Sequence, residues 1–209
     1  MKFSLDRNQY VAKKLGILNG DTILDIGCRD MIFKKSLEGK FTYKGIDYQG
    51  ENVDLQNSEL INHNLEKGFP TDIESFDIIN ALDVLEHIEN IHDVFTDLFK
   101  YSNSKIVIAL PNMAYYKFRM NFLFKGILSK KYLFSENKIL DRHRWIPNYH
   151  SIIDFINKNA DKNWTKKKFN FIAERKRNFI FYYLEKILSY LFPNLFVYEI
   201  IYIFNKNKK

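Results

Sequence analysis

The chain reads as an α/β protein built on a doubly wound, mostly parallel sheet, and three observations predict it. Apolar runs rich in Ile, Val and Phe recur at 22–26, 41–46, 76–81 and 105–110, each short enough for a strand buried on both faces. Between several of them lie stretches with apolar residues at helical spacing, so strands and helices alternate. The first run stops at a Gly-containing turn, Asp25-Ile26-Gly27-Cys28-Arg29-Asp30, the kind that leaves backbone N–H groups facing a crevice.

Taken in order, residues 8–18 predict a short amphipathic helix with Val11 and Leu15 on one face. Asn19-Gly20-Asp21 is a turn signal into the first strand. After the glycine loop, Met31 to Leu37 places Phe33 and Leu37 at helical spacing. Phe41–Ile46 predicts a second strand ending at Asp47, Glu59–Asn64 a weaker third and Phe76–Ala81 a fourth. Asn90, with Asp93 three residues on, reads as the N-cap of a helix carrying Ile91, Val94, Phe95 and Leu98. Lys105–Leu110 is the clearest strand, closed by Pro111.

The pattern then changes. Residues 113–134 mix Tyr and Phe with Lys and Arg, predicting one or two helices over the sheet. An acceptor lid (about 112–147), a membrane-surface helix and simple packing all suit that mixture. Asn148 predicts a cap for a helix to about Ala160, with Ile152, Phe155 and Ile156 inward. Trp164–Ala173 reads as a strand, and Phe179–Phe192 as a strongly apolar helix, core or dimer face, ended by Pro193-Asn194. Leu195–Phe204 is a last strand. Without repeats or an internal boundary, one domain over 1–209 is expected.

A chain of 209 residues can bury a full core. Its one cysteine, Cys28, excludes an internal disulfide and a cysteine-based metal cluster, and suits a reducing compartment. The N-terminus lacks the apolar stretch of a signal peptide, and no run reaches the roughly 18 apolar residues of a membrane span. A cytoplasmic protein is therefore expected. The net charge of +7 is unevenly spread: residues 1–104 hold 11 Lys and Arg against 18 Asp and Glu, whereas 105–209 hold 21 against 7. A basic half suits an anionic partner, whether a phosphorylated small molecule, an acidic glycan, a membrane surface or nucleic acid, or else is a solvated face.

The chemistry concentrates at the ends of the first two strands. Asp47 lies 20 residues beyond Gly27, where an acid can accept hydrogen bonds from both hydroxyls of a ribose. A dinucleotide would need G-x-G-x-x-G for its pyrophosphate. This loop has a single glycine and a carboxylate, Asp30, at the expected helix start, which repels phosphate. A phosphate-free nucleoside with a positive centre fits better, and S-adenosylmethionine is such a molecule.

The succession L-D-I-G-C-R-D, G-I-D at 45–47, N-L at 64–65, F-D-I-I-N-A-L-D-V-L-E-H-I and I-V-I-A-L-P-N resembles the class I S-adenosylmethionine-dependent methyltransferases. It is most similar to bacterial small-molecule and glycan-modifying members with a V-L-E-H-I segment, over roughly 7–160. The closing P-N-L-F-V-Y-E-I-I-Y-I-F is also similar to that group's last strand. The resemblance implies a Rossmann-like doubly wound sheet with an antiparallel last strand. It implies that Asp25, Gly27, Cys28 and Arg29 line the methionine portion of the cofactor, Asp47 holds the ribose and Tyr48 lies beside the adenine. It puts Asn64, where the family usually has Asp, on the adenine amino group, with Leu65 adding a backbone contact. Ala81, Leu82 and Asp83 then sit near the sulfonium and the acceptor. Arg29 and Met31 stand where the family often has glycine, so a positive φ at either would strain or reshape the loop.

Methyl transfer asks for alignment behind an activated methyl group, and a hydroxyl acceptor profits from a base. His87, His143 and Asp83 are the candidates, and each has the alternative of fixing a loop. Arg142 and Arg144 are candidates to grip an anionic acceptor or to solvate their loop. His63, His92 and His150 lack metal-ligand spacing, so no metal site is expected. The expected reaction is methylation of O (or N) on a small anionic or saccharide-type acceptor. Nucleic-acid methylation is the rival prompted by the basic half, with no appended RNA-binding motif and no Asn/Asp-Pro-Pro-aromatic signature to support it. A non-catalytic cofactor-binding module is the third reading, prompted by Arg29 and Met31.

Overall fold

The structure is a computed structural model that describes residues 2–3, 6–48, 59–128, 132, 142–172 and 177–207, the side chains of 2, 3 and 177–179 excepted. Seven strands form one sheet: β1 Thr22–Ile26, β2 Thr42–Asp47, β3 Leu60–Asn62, β4 Phe76–Leu82, β5 Ser102–Pro111, β6 Trp164–Phe171 and β7 Glu199–Lys206. Their order is β3-β2-β1-β4-β5-β7-β6. The first five are parallel, and β7 runs antiparallel between β5 and β6. This is the Rossmann-like doubly wound architecture with an antiparallel last strand. Lys2–Phe3 also pairs antiparallel with Arg177–Asn178.

β1 is central, which explains its apolar run: Ile23, Leu24 and Ile26 are all buried, with Ile23 on one face and Leu24 and Ile26 on the other. Helix α1 (Arg7–Leu15) covers the Ile23 face through Val11 and Leu15. Helices α2 (Ile91–Tyr101) and α4 (Tyr149–Asn159) cover the opposite face, joined there by Trp164 and Phe204. Asp6 caps α1 by accepting from Gln9 N, and Asn148 caps α4 in a reciprocal capping box with Ser151.

Four expectations need correction. No α-helix follows β1: the chain turns through 28–33 into a single 3-10 turn at Lys34–Ser36. Arg29 (φ 47°) and Met31 (φ 55°) adopt left-handed backbone there, which a right-handed helix cannot accommodate. Pro193 does not simply stop helix α5 (Phe179–Leu191). It starts the four-residue helix α6 (Pro193–Phe196), so β7 begins at Glu199. Asn90 precedes α2 but its side chain donates to Asp93 Oδ2 and does not cap the helix backbone. Finally, α5 is not core. Among its described side chains the buried ones are Glu185 and Ser189, whereas Ile180, Phe181, Leu184, Ile187 and Leu191 are exposed. In the 113–134 stretch, α3 (Tyr116–Lys125) carries Met120, Phe122, Leu123 and Phe124 outward, and 129–131 and 133–141 lie outside the described residues.

Candidate active site

The ends of β1, β2 and β4 lie side by side because their register sets Asp25 opposite both Gly45 and Asn80. Among the described residues the non-glycine positive φ angles are those of Arg29, Met31 and Asp83 (φ 54°), all just beyond the C-terminal ends of β1 and β4. Each costs on the order of 1–3 kcal/mol. Such strain gathers at the rim of the crevice where open α/β sheets take ligands.

The loop after β1 is built by close approach. Gly27 has φ 68°, and a Cβ there would meet Val84 Cγ2 at 2.3 Å. A Cβ on Gly45 would meet Cys28 Sγ at 2.4 Å. Cys28 is thus a filler wedged over β2, its thiol pushed up to about 12 by burial and by the Asp25 and Asp47 carboxylates. Gly27 N and Cys28 N both donate to Ile46 O, and Arg29 N donates to Asp47 Oδ2 at 2.6 Å. That last bond turns the Asp47 carboxylate toward the loop at the tip of β2. Tyr48, 53% exposed, follows it directly.

Asp25 lies beneath this loop, 3% exposed, accepting from Tyr43 OH and Asn80 Nδ2. Burial pushes its carboxyl up to about 6 against the pull of those two bonds. Asn64 caps a 3-10 turn, Leu65–Lys67, through Oδ1 to Glu66 N, and that oxygen keeps a second lone pair. Leu65, Ala81 and Leu82 are buried at the same end of the sheet.

Asp83 is tied into an ionic network that the sequence did not announce. Arg7, at the start of α1, pairs with Asp83 and at 3.0 Å with Glu199 Oε1 of β7. Burial opposes the Arg7 charge, yet Glu199 and Asp83 raise its pKa above the ordinary value. Burial first, and the Asp83 charge second, raise Glu199 well above the carboxylate range. Its one readable signal was a lone acid in the apolar run Val197–Phe204.

The two candidate histidines do meet. Backbone N–H groups of Arg144 and Trp145 both donate to Glu86 O, at 2.9 and 3.1 Å, pinning the 142–148 segment to the 3-10 turn Leu85–His87. The rings of His87 and His143 pack edge to face with centroids 4.5 Å apart. His143 Nδ1 lies 3.0 Å from Tyr132 OH, whose pKa burial and then the Glu86 charge push up to about 12. Beside them a cavity of about 320 Å³ is lined by Glu89, Tyr132, Arg142, His143 and Arg144. Arg144 also pairs with Glu66.

This donor set fits S-adenosylmethionine. A strand-tip carboxylate suits a ribose diol, and the single-glycine loop offers no cradle for pyrophosphate. Asn80 Oδ1, buried beside Asp25 with no hydrogen-bond partner among the described residues, offers an acceptor suited to an ammonium group.

Residues 6–152 match the family described as a methyltransferase domain, and the chain belongs to that family. It is a class I S-adenosylmethionine-dependent methyltransferase. No curated protein matches the sequence. Among solved structures, the small RNA methyltransferase HEN1 superposes with a TM-score of 0.67 at 14% identity, over 100% of this chain and 27% of that one. This chain thus spans about a quarter of HEN1's length. The plantazolicin methyltransferase BpumL, solved with a monoazolic desmethylPZN analog and SAH, gives 0.53 at 18% identity, over 96% and 81% of the two chains. A SAM-dependent methyltransferase from Archaeoglobus fulgidus gives 0.53 at 14%, over 96% and 94%. These likenesses show a common fold.

Proposed function

We propose that this methyltransferase acts on an oxygen (or nitrogen) of a small anionic or saccharide-type acceptor bound between the His87 turn and the 142–148 segment. The observation that carries this is the cavity wall: two guanidinium groups, an imidazole, a phenol and a carboxylate around about 320 Å³. That volume suits a small ligand, and those donors suit phosphate, carboxylate or sugar hydroxyls. Asp47 would hold the ribose, Tyr48 and Asn64 the adenine, and the Gly27–Arg29 backbone the methionine portion, with Ala81 and Leu82 below the sulfonium. S-adenosylmethionine held there would supply an activated methyl group, and His87, His143 or water would take the proton that the acceptor gives up. Asp83, held by Arg7, positions the strand end in this reading. The test is transfer of isotopically labelled methyl to sugar phosphates, uronic acids and RNA. Label on RNA alone, with salt-steep binding, would replace this reading with the rival favoured by the basic half.

We also infer that the acceptor is met at an anionic membrane surface. The exposed apolar side chains of α3 and α5 are interspersed with Lys117, Arg119, Lys125 and Lys186. Tyr115 OH donates to Glu185 Oε1 at 2.6 Å, joining the root of α3 to α5. Apolar side chains flanked by cations are the composition that inserts at a headgroup boundary. Among the described residues no helix is long and apolar enough to cross a bilayer. Co-sedimentation with phosphatidylglycerol vesicles, lost in Phe122→Ser with Leu123→Ser, supports the inference. A concentration-dependent dimer with no vesicle binding would assign the same face to a second copy.

A further inference from the structure

Glu86 is 1% exposed, and a carboxylate so far from water is costly to keep charged without a cation at hand. The structure sets two histidines against it. One ligand atom each from Glu86, His87 and His143 lie within 4.8 Å of one another, and Glu86 Oε1 is 3.7 Å from His87 Nε2.

The tautomers follow from the outer hydrogen bonds. His87 Nδ1 lies 2.9 Å from Arg142 O, and a carbonyl only accepts, so Nδ1 carries the proton and the neutral ring has its lone pair on Nε2. Tyr132 OH donates to Trp145 O at 3.1 Å. With its one proton used there, the phenol accepts from His143 Nδ1 at 3.0 Å, which leaves the His143 lone pair on Nε2 as well. An Nδ1–H anchored on oxygen with Nε2 turned inward is the way proteins orient metal-binding imidazoles. The backbone bonds from Arg144 and Trp145 to Glu86 O hold the two segments in register without a metal.

We propose that Glu86, His87 and His143 form a site for a first-row divalent cation of borderline softness, such as Zn²⁺ or Co²⁺, at the edge of the acceptor cavity. Two imidazoles and one carboxylate leave coordination positions open, and His143 belongs both to this trio and to the cavity wall. The inference rests on the acceptor assignment above and deepens it. The metal holds the acceptor oxygen and lowers its pKa, the proton leaving to water before methyl transfer. The histidines then act through the cation and not as bases themselves. A monodentate anionic oxygen or a pair of neighbouring sugar hydroxyls is the acceptor chemistry such a site takes.

The test uses untagged full-length protein titrated with Co²⁺, followed by visible d–d absorption, and with Zn²⁺ by calorimetry. One equivalent at micromolar affinity is expected, weakened more than about tenfold in His87→Ala and in His143→Ala. His63→Ala and His150→Ala serve as controls and leave it unchanged. Circular dichroism and S-adenosylhomocysteine binding of each variant separate a lost ligand from a lost fold. Absence of binding in the parent protein, or binding unaltered in both histidine variants, overturns the site. Cofactor affinity is read independently, so failure here leaves the methyltransferase assignment standing.

Discussion

Helices α2 and α5 have similar lengths and are both rich in Ile, Leu and Phe, yet they are oriented in opposite senses. α2 turns Ile91, Val94, Phe95, Leu98 and Phe99 into the core. α5 buries Glu185 and Ser189 and shows solvent Ile180, Phe181, Leu184, Ile187 and Leu191. The reason lies in what each meets. α2 packs on the sheet, where Phe95 touches the rings of Phe99, Phe155 and Phe204. α5 meets the phenol of Tyr115, which its Glu185 accepts. An apolar helix covers a core only if an apolar face awaits it; otherwise its own apolar side is a surface waiting for a partner. The contrast extends to charge, since the acidic half of the chain carries the proposed cofactor crevice and the basic half carries α3 and α5.

The sharpest way to break this contrast is to treat the two helices alike. Phe95→Ala, which empties a fully buried aromatic site, is expected to cost about 3–5 kcal/mol in denaturant unfolding. Ile187→Ser with Leu184→Ser, both on the exposed side of α5, is expected to change stability by no more than about 0.5 kcal/mol while weakening vesicle binding. A large stability loss from the α5 pair would mean that its apolar side is structural after all.

Within the acidic half, Gly27→Ala adds a Cβ against Val84 at a positive φ. A destabilisation of roughly 2–4 kcal/mol is expected, combining left-handed strain and overpacking. Asp47→Ala should weaken S-adenosylhomocysteine by about 100-fold, the worth of one or two hydrogen bonds to a charged group, with little change in vesicle binding. Calorimetry at unchanged affinity would remove Asp47 from the site.

Protonation supplies the gentlest test. Asp25 titrates near 6 in the fold because burial disfavours its charge. The folded state therefore binds this proton more tightly than the unfolded chain does. Its contribution is fully present below the unfolded carboxyl pKa near 4 and is lost as pH rises through about 6. The difference amounts to about 3 kcal/mol at most. Thermal melts from pH 4 to 7 should show the parent losing stability relative to Asp25→Asn, which cannot titrate. Parallel curves would contradict the assignment.

Much of this was legible in the residues themselves. Ile23, Leu24 and Ile26 announced a strand buried on both faces, Asn148 announced its helix cap, and Asp47 stood at a readable distance from Gly27, because each depends on neighbours close in sequence. The loop after β1 was half legible: glycine was missing at Arg29 and Met31, but that both bend into left-handed backbone, with Arg29 N bonded to Asp47 18 residues away, shows only in the fold. The 3-10 turn in place of a helix follows from that bend. For α5 the residues left core and dimer face open, since periodicity marks an apolar side without saying whether anything covers it.

The chain's order of residues determined the class of protein, its strand-by-strand alternation and the carboxylates at the strand tips, all of which are local patterns of hydrophobicity, turn chemistry and spacing. Only tertiary structure decided which charges meet. Arg7 reaches Asp83 and Glu199 across 76 and 192 positions, and His143 comes to rest against His87 and Glu86 because two backbone bonds to Glu86 O carry it there. Contacts of that separation depend on how the sheet closes and which loops cross its end, and no stretch of sequence contains that information by itself.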